Sequence, residues 1–79
     1  MSSFVIYLGE GAVRYYVVSF NPTSNMASLT RSPGLAQDTT PEHAIEVARW
    51  MRALTGRPYQ TTSLSEANQH HTDNPPREN

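Results

Sequence analysis

Apolar positions along the chain fall into two spacing regimes. Phe4-Val5-Ile6-Tyr7-Leu8 and Val13-Arg14-Tyr15-Tyr16-Val17-Val18-Ser19-Phe20 are apolar or aromatic at almost every position. That is the pattern of strands covered on both faces; a sheet with one wet face alternates apolar and polar residues. Gly9-Glu10-Gly11 lies between the two runs and reads as a hairpin turn. Asn21-Pro22-Thr23-Ser24-Asn25 is a turn cluster that stops the second strand. Met26-Ala27-Ser28-Leu29-Thr30-Arg31 reads as a weaker third strand, ended by Ser32-Pro33-Gly34. The economical arrangement is an antiparallel meander of three strands.

The period then changes to 3.6 residues. Ala44, Val47, Ala48, Met51 and Leu54 form one stripe with Trp50 at its edge, and Glu42, Glu46, Arg49 and Arg52 occupy the other side. Asp38, Thr39 and Thr40 are N-cap residues by type, Pro41 suits the first turn, and Glu42 complements the positive end of the helix dipole. Gly56 offers a left-handed C-cap and Pro58 prevents continuation, so the spacing predicts a helix over 41–55. Arg57-Pro58-Tyr59-Gln60-Thr61-Thr62 either docks as a short fourth strand or runs as coil. From Ser65 to Asn79 the sole apolar residue is Ala67. Burial on that scale does not offset the entropy of ordering a chain, and the segment is expected to be a disordered tail. The expected fold class is α+β: a three-stranded antiparallel sheet (a short fourth strand being available) with one helix on one face. The domain is expected to span 1–64, with a disordered tail at 65–79.

This arrangement has one helix too few. If Phe4, Ile6, Leu8, Tyr15 and Val17 face the helix, Val5, Tyr7, Tyr16 and Val18 point away from it. Aromatic side chains bury on the order of 150–250 Å² each, and monomers rarely expose apolar patches beyond a few hundred Å². The expectation is a partner-binding surface made of Val5, Tyr7, Tyr16 and Val18, flanked by Arg14. It would meet a second copy in a homodimer or a different protein. Arg49 and Arg52 are secondary contact residues.

Composition narrows the chemistry. The chain has 79 residues and a formal net charge of −1, so its core is small and neither polyanions nor acidic membranes are favoured partners. It has no cysteine, which removes disulfides and thiolate sites. All its cations apart from histidine are arginine, at 14, 31, 49, 52, 57 and 77, which excludes a Schiff-base or phosphate-loop lysine. The N-terminal Met-Ser-Ser-Phe-Val-Ile-Tyr-Leu has neither the basic region of a secretory signal nor the length of a membrane span. A soluble cytoplasmic protein is the simplest expectation.

His70-His71 with Asp73 supplies metal-ligand atoms, but in a flexible segment they are not preorganised. His43 lies seven positions before Trp50 and reads as a boundary histidine. It has no nucleophile motif to serve as base for. Glu42 and Glu46 stand at i, i+4, with Arg49 placed to pair with the second. No enzyme activity, metal or cofactor is expected. Arg14 with Tyr7 and Tyr16 also resembles a base-stacking platform. A nucleic-acid regulator using Arg14, Arg31, Arg49 and Arg52 is therefore the alternative reading.

Tyr16-Val17-Val18-Ser19-Phe20-Asn21-Pro22, then Pro33-Gly34, then Gln37-Asp38-Thr39-Thr40-Pro41-Glu42-His43-Ala44 resemble the strand, Pro-Gly step and helix start of HicB-type antitoxin domains. The resemblance covers roughly residues 4–55. A stretch of some ten residues, Thr23 to Ser32, is additional to the family's pattern, and the polar C-terminal segment stands where the family usually adds a DNA-binding element. The resemblance implies a non-catalytic protein that binds and blocks another protein: a small inhibitor, antitoxin-like or accessory regulator of phage or mobile-element type.

Overall fold

The computed structural model describes residues 3–9 and 12–74. Strands β1 (Phe4–Leu8), β2 (Tyr15–Asn21) and β3 (Met26–Thr30) form the expected meander. A single 3₁₀ turn at Pro33–Leu35 leads to helix α1 (Pro41–Thr55). Strand β4 (Gln60–Ser63) runs directly into a second helix, α2 (Leu64–Asp73). The sheet is antiparallel throughout, in the order β3-β2-β1-β4.

Local chemistry sets the boundaries. Gly9 has φ +144°, and a Cβ there would lie 2.2 Å from the Val13 carbonyl oxygen, so the β1–β2 turn closes only around glycine. The Thr40 hydroxyl accepts from the His43 backbone N–H, Pro41 opens α1, and Gly56 closes it at φ +72° with its N–H on the Arg52 carbonyl.

β1 and β2 pair only at their hairpin end, Leu8 with Tyr15 and Tyr7 with Tyr16. Beyond that they splay, and the chain before α1 fills the gap. Phe4 N–H donates to the Thr39 carbonyl at 2.7 Å, Thr39 N–H returns a bond to Phe4 at 2.9 Å, and Gln37 N–H reaches the Val17 carbonyl at 3.2 Å. In β2 the register slips between Val17, opposite Leu29, and Ser19, opposite Ser28. This one-residue bulge brings Val17 and Phe20 to the same face.

Two cores result, one on each side of the sheet. Ala44, Ala48 and Met51 of α1 are fully buried against Ile6, Val17 and Tyr59, with Phe4, Leu8, Phe20, Ala27 and Val47 partly buried around them. The apolar stripe is therefore the one its spacing predicts, except that Leu54 stays 38% exposed. On the opposite face Val5, Tyr7 and Tyr16 pack with Ala67 and Leu64 of α2 and with Ala36.

The available fourth strand forms, and two expectations are corrected: two helices cover the sheet instead of one, and the segment expected to be disordered is helical through Asp73; residues 75–79 lie outside the described residues. Ser63 caps α2 by accepting from the Glu66 N–H at 3.1 Å. Ala67, with no exposed surface, lets the helix backbone approach the tyrosines closely. Two apolar residues, Leu64 and Ala67, anchor this helix because the face it covers already supplies the large side chains.

Candidate functional site

Of the residues expected at a partner interface, Val5, Tyr7 and Tyr16 are instead covered by α2 within the same chain, at 0%, 9% and 1% exposure. Alternation along β1 and β2 puts them on the face away from α1, as the sequence pattern implies. The polar C-terminal segment supplies the cover that seemed to require a partner. Val18, next to the bulge, stays 36% exposed.

Arg14 joins this covered face to α2. Its Nη1 donates to both Glu66 oxygens, at 2.7 and 3.1 Å, and its guanidinium carbon lies 4.3 Å from the centre of the Tyr7 ring. Burial alone would weaken the Arg14 charge. Hydrogen bonding to Glu66, the neighbouring Tyr16 and the nearby charges outweigh it, and the Arg14 pKa is raised. Burial likewise opposes ionisation of Glu66, but hydrogen bonds from Arg14 and Thr62 prevail and hold its pKa below the ordinary carboxylate value. The Tyr7 hydroxyl donates to Gln60 Oε1 at 3.1 Å. The Tyr16 hydroxyl is buried beside the same guanidinium without a hydrogen bond of good geometry. Arg14 is thus an internal clasp, unavailable as one end of a stacking platform.

The two secondary arginines separate. Arg49 is exposed on α1, whereas Arg52 donates from Nη1 to the Tyr59 carbonyl at 2.8 Å and ties the helix end to the approach to β4. Among the described residues no group of three or more His, Cys, Asp or Glu side chains converges as a metal site. No helix there is long and apolar enough to cross a membrane.

Apolar side chains are open on the α1 side and along β3, and also at Val13, Tyr15, Val18 and Leu35. Met26 is 70%, Ile45 and Trp50 46%, Leu54 38% and Leu29 37% exposed. Phe20 meets Trp50 edge-on, with centroids 5.8 Å apart. Beside them a cleft of about 180 Å³ is lined by Ile6, Val17, Phe20, Val47 and Trp50, with Gln37, Thr39 and His43 as its polar members. The splay of β1 from β2 creates this cleft, and strand-pattern reasoning carries no signal for such a splay.

β3 forms the outer edge of the sheet, hydrogen-bonded to β2 alone. Met26-Ala27-Ser28-Leu29-Thr30 carries no charge and no proline, two of the devices that usually block edge-to-edge pairing. A groove of about 470 Å³ runs beside it, lined by Met26, Ala27, Leu29, Leu54 and Tyr59 among others. The other edge, β4, is Gln-Thr-Thr-Ser.

Comparison of the chain with protein-family models, with curated proteins and with solved structures finds no match.

Proposed function

We propose that the chain is a non-catalytic protein-binding module, acting as a small inhibitor or accessory regulator, and that it binds by adding a partner strand to β3. The uncharged, unpaired β3 edge with apolar residues beside it carries this reading. In strand addition the backbone of the edge supplies hydrogen bonds, and flanking hollows take alternate side chains. The groove by Leu29 and Leu54 is such a hollow. The order β1, β2, β3, α1, β4 is that on which the HicB-type resemblance rests, and it favours the same class of role.

The strand that fits most simply is β3 of a second copy. Antiparallel pairing about Ser28 would set Ala27 opposite Leu29 and Met26 opposite Thr30, with no like charges facing. A nucleic-acid role is less well served. Arg14 is committed to Glu66 and Arg52 to a carbonyl.

Sedimentation of wild type and Ser28→Lys, combined with partner capture by each, tests the reading. A wild-type dimer that Ser28→Lys converts to a folded monomer supports self-pairing. A monomeric wild type whose captured protein is lost in the folded variant supports a heterologous strand. Association and capture unaffected by the variant would overturn the edge as the binding site.

A further inference from the structure

Helix α1 lays a polarity gradient along the cleft that the β3 edge does not use. His43, Val47 and Trp50 stand at i, i+4 and i+7 and line the same side of the hollow between α1 and the sheet. Seven residues of helix rise about 10 Å, so the imidazole and the indole mark a polar end and an aromatic end. Thr39, one residue before the N-cap, belongs to the polar end, and Phe20, edge-on to Trp50, to the aromatic end. We propose that this cleft binds a small neutral aromatic molecule of the phenol class, its ring against Phe20 and Trp50 and its hydroxyl among Gln37, Thr39 and His43.

Size fixes the class first. The space is about 180 Å³. An apolar cavity of about 150 Å³ admits a benzene ring, whereas sites for drug-sized ligands hold about 300–1,000 Å³. One ring with one small substituent fits. The hollow is also built into the backbone. Phe4 and Thr39 exchange two hydrogen bonds, at 2.7 and 2.9 Å, and the Gln37 N–H bonds the Val17 carbonyl at 3.2 Å. These bonds hold the walls apart before anything enters, so a ligand has little ordering to offset.

Charge and hydrogen bonding then select within that size. No Asp, Glu or Arg is among the lining residues, so a charged ligand would lose hydration without gaining a counter-charge. The side chains of Gln37, Thr39 and His43 can each donate and accept. Among the described residues none of the three is engaged in a hydrogen bond; His43 uses only its backbone N–H, on Thr40. At the other end Phe20 and Trp50 lie edge-on with centroids 5.8 Å apart, and Trp50 keeps 46% of its surface open. A third ring extends such a pair by stacking or edge contact, which an aliphatic ligand cannot do. Ring contacts of about 5 Å and a hydrogen bond of about 3 Å take up most of the 10 Å between the two ends. The polar group therefore belongs directly on the ring.

Trp50 is the chain's only tryptophan, so its emission reports on the site directly. The probe is 4-methylphenol, with excitation at the red edge of the indole band, where phenols do not absorb. A saturable change with Kd on the order of 0.1–1 mM is expected. The aliphatic analogue 4-methylcyclohexanol should bind about two- to tenfold more weakly. The double variant Gln37→Ala, His43→Ala should weaken 4-methylphenol by about two- to tenfold or more. Val47→Phe, which places a ring in the hollow, should abolish saturation, while Ser28→Lys on the β3 edge leaves it unchanged. Amide shifts in ¹⁵N-labelled wild type, confined to residues 37–39, 43, 47 and 50, locate the ligand without any variant. Emission that changes without saturating, shifts spread elsewhere, equal binding of the aliphatic analogue, or binding unaffected by the double variant or by a folded Val47→Phe would overturn the site. Tighter binding of N-acetyltyrosinamide than of 4-methylphenol would also overturn it, by assigning the hollow to a tyrosine of a partner chain.

Discussion

Arg14 and Glu66 stand 52 positions apart in the chain and meet at 2.7 Å, closing α2 onto the sheet. The pair is half in water, the Glu66 side chain being 44% exposed, so its worth is that of a surface ion pair, about 0.2–1 kcal/mol. Its position matters more than its strength. It ties to the sheet a helix whose one fully buried residue is Ala67.

The pH dependence follows from the lowered pKa of Glu66. A carboxylate whose folded pKa lies below its unfolded one contributes stability above the unfolded value. That contribution is lost as pH falls through the folded one. The clasp is therefore complete at neutral pH, weakens below about the ordinary value of 4.5 and is gone in stronger acid. Glu66→Gln should melt up to about 5 °C below wild type at pH 7, and the two curves should converge once the pH has fallen below the folded pKa as well. A gap that persists in acid would assign the difference to packing.

Removing α2 by ending the chain at Ser63 should do far more. Val5, Tyr7 and Tyr16 would be uncovered together, and the melting temperature should fall by more than about 4 °C, the equivalent of roughly 1 kcal/mol in a domain this small. The truncated chain should also self-associate in sedimentation, since the bared face is the kind of apolar patch that seeks a cover. A truncated monomer with unchanged melting would show that α2 adds nothing to the fold.

The sequence reveals the sheet and α1 more clearly than α2, for a physical reason. Residues 41–55 carry a full apolar stripe, a capping threonine, an N1 proline and a C-cap glycine, each pointing to the same boundaries. The division of β1 and β2 into two faces was equally readable from alternation. Residues 64–73 have no stripe because the face they cover supplies the bulk, and Ala67 has only to be small. The legible signal there was Ser63-Leu64-Ser65-Glu66, the spacing of a capping box, next to a leucine and an alanine three residues apart. Taken with the uncovered tyrosines, it pointed to an internal cover. The Phe20–Trp50 cleft depends on the β2 bulge and the β1–β2 splay, which no local pattern encodes.

Packing beneath α1 gives a sharp contrast between adjacent turns. Met51 is fully buried among Ile6, Val17 and Tyr59, and Met51→Ala should cost about 2–5 kcal/mol in chemical denaturation. Arg49→Ala, on the exposed side, should stay within about 0.5 kcal/mol of wild type. The reverse order would mean that α1 presents a different face to the sheet.

Tyr16 offers the most discriminating single-atom test. Its ring packs at a tilt of 50° to Tyr7, with centroids 6.0 Å apart, and phenylalanine would keep that contact. What changes is the hydroxyl, which is buried beside the Arg14 guanidinium without a hydrogen bond of good geometry. A buried, unsatisfied polar group costs about 1–3 kcal/mol. Tyr16→Phe should therefore be neutral or more stable than wild type by up to about 1 kcal/mol. Equilibrium denaturation of both proteins measures the difference. If Tyr16→Phe loses more than about 1 kcal/mol, Arg14 already satisfies the hydroxyl, and Tyr16 belongs to the clasp.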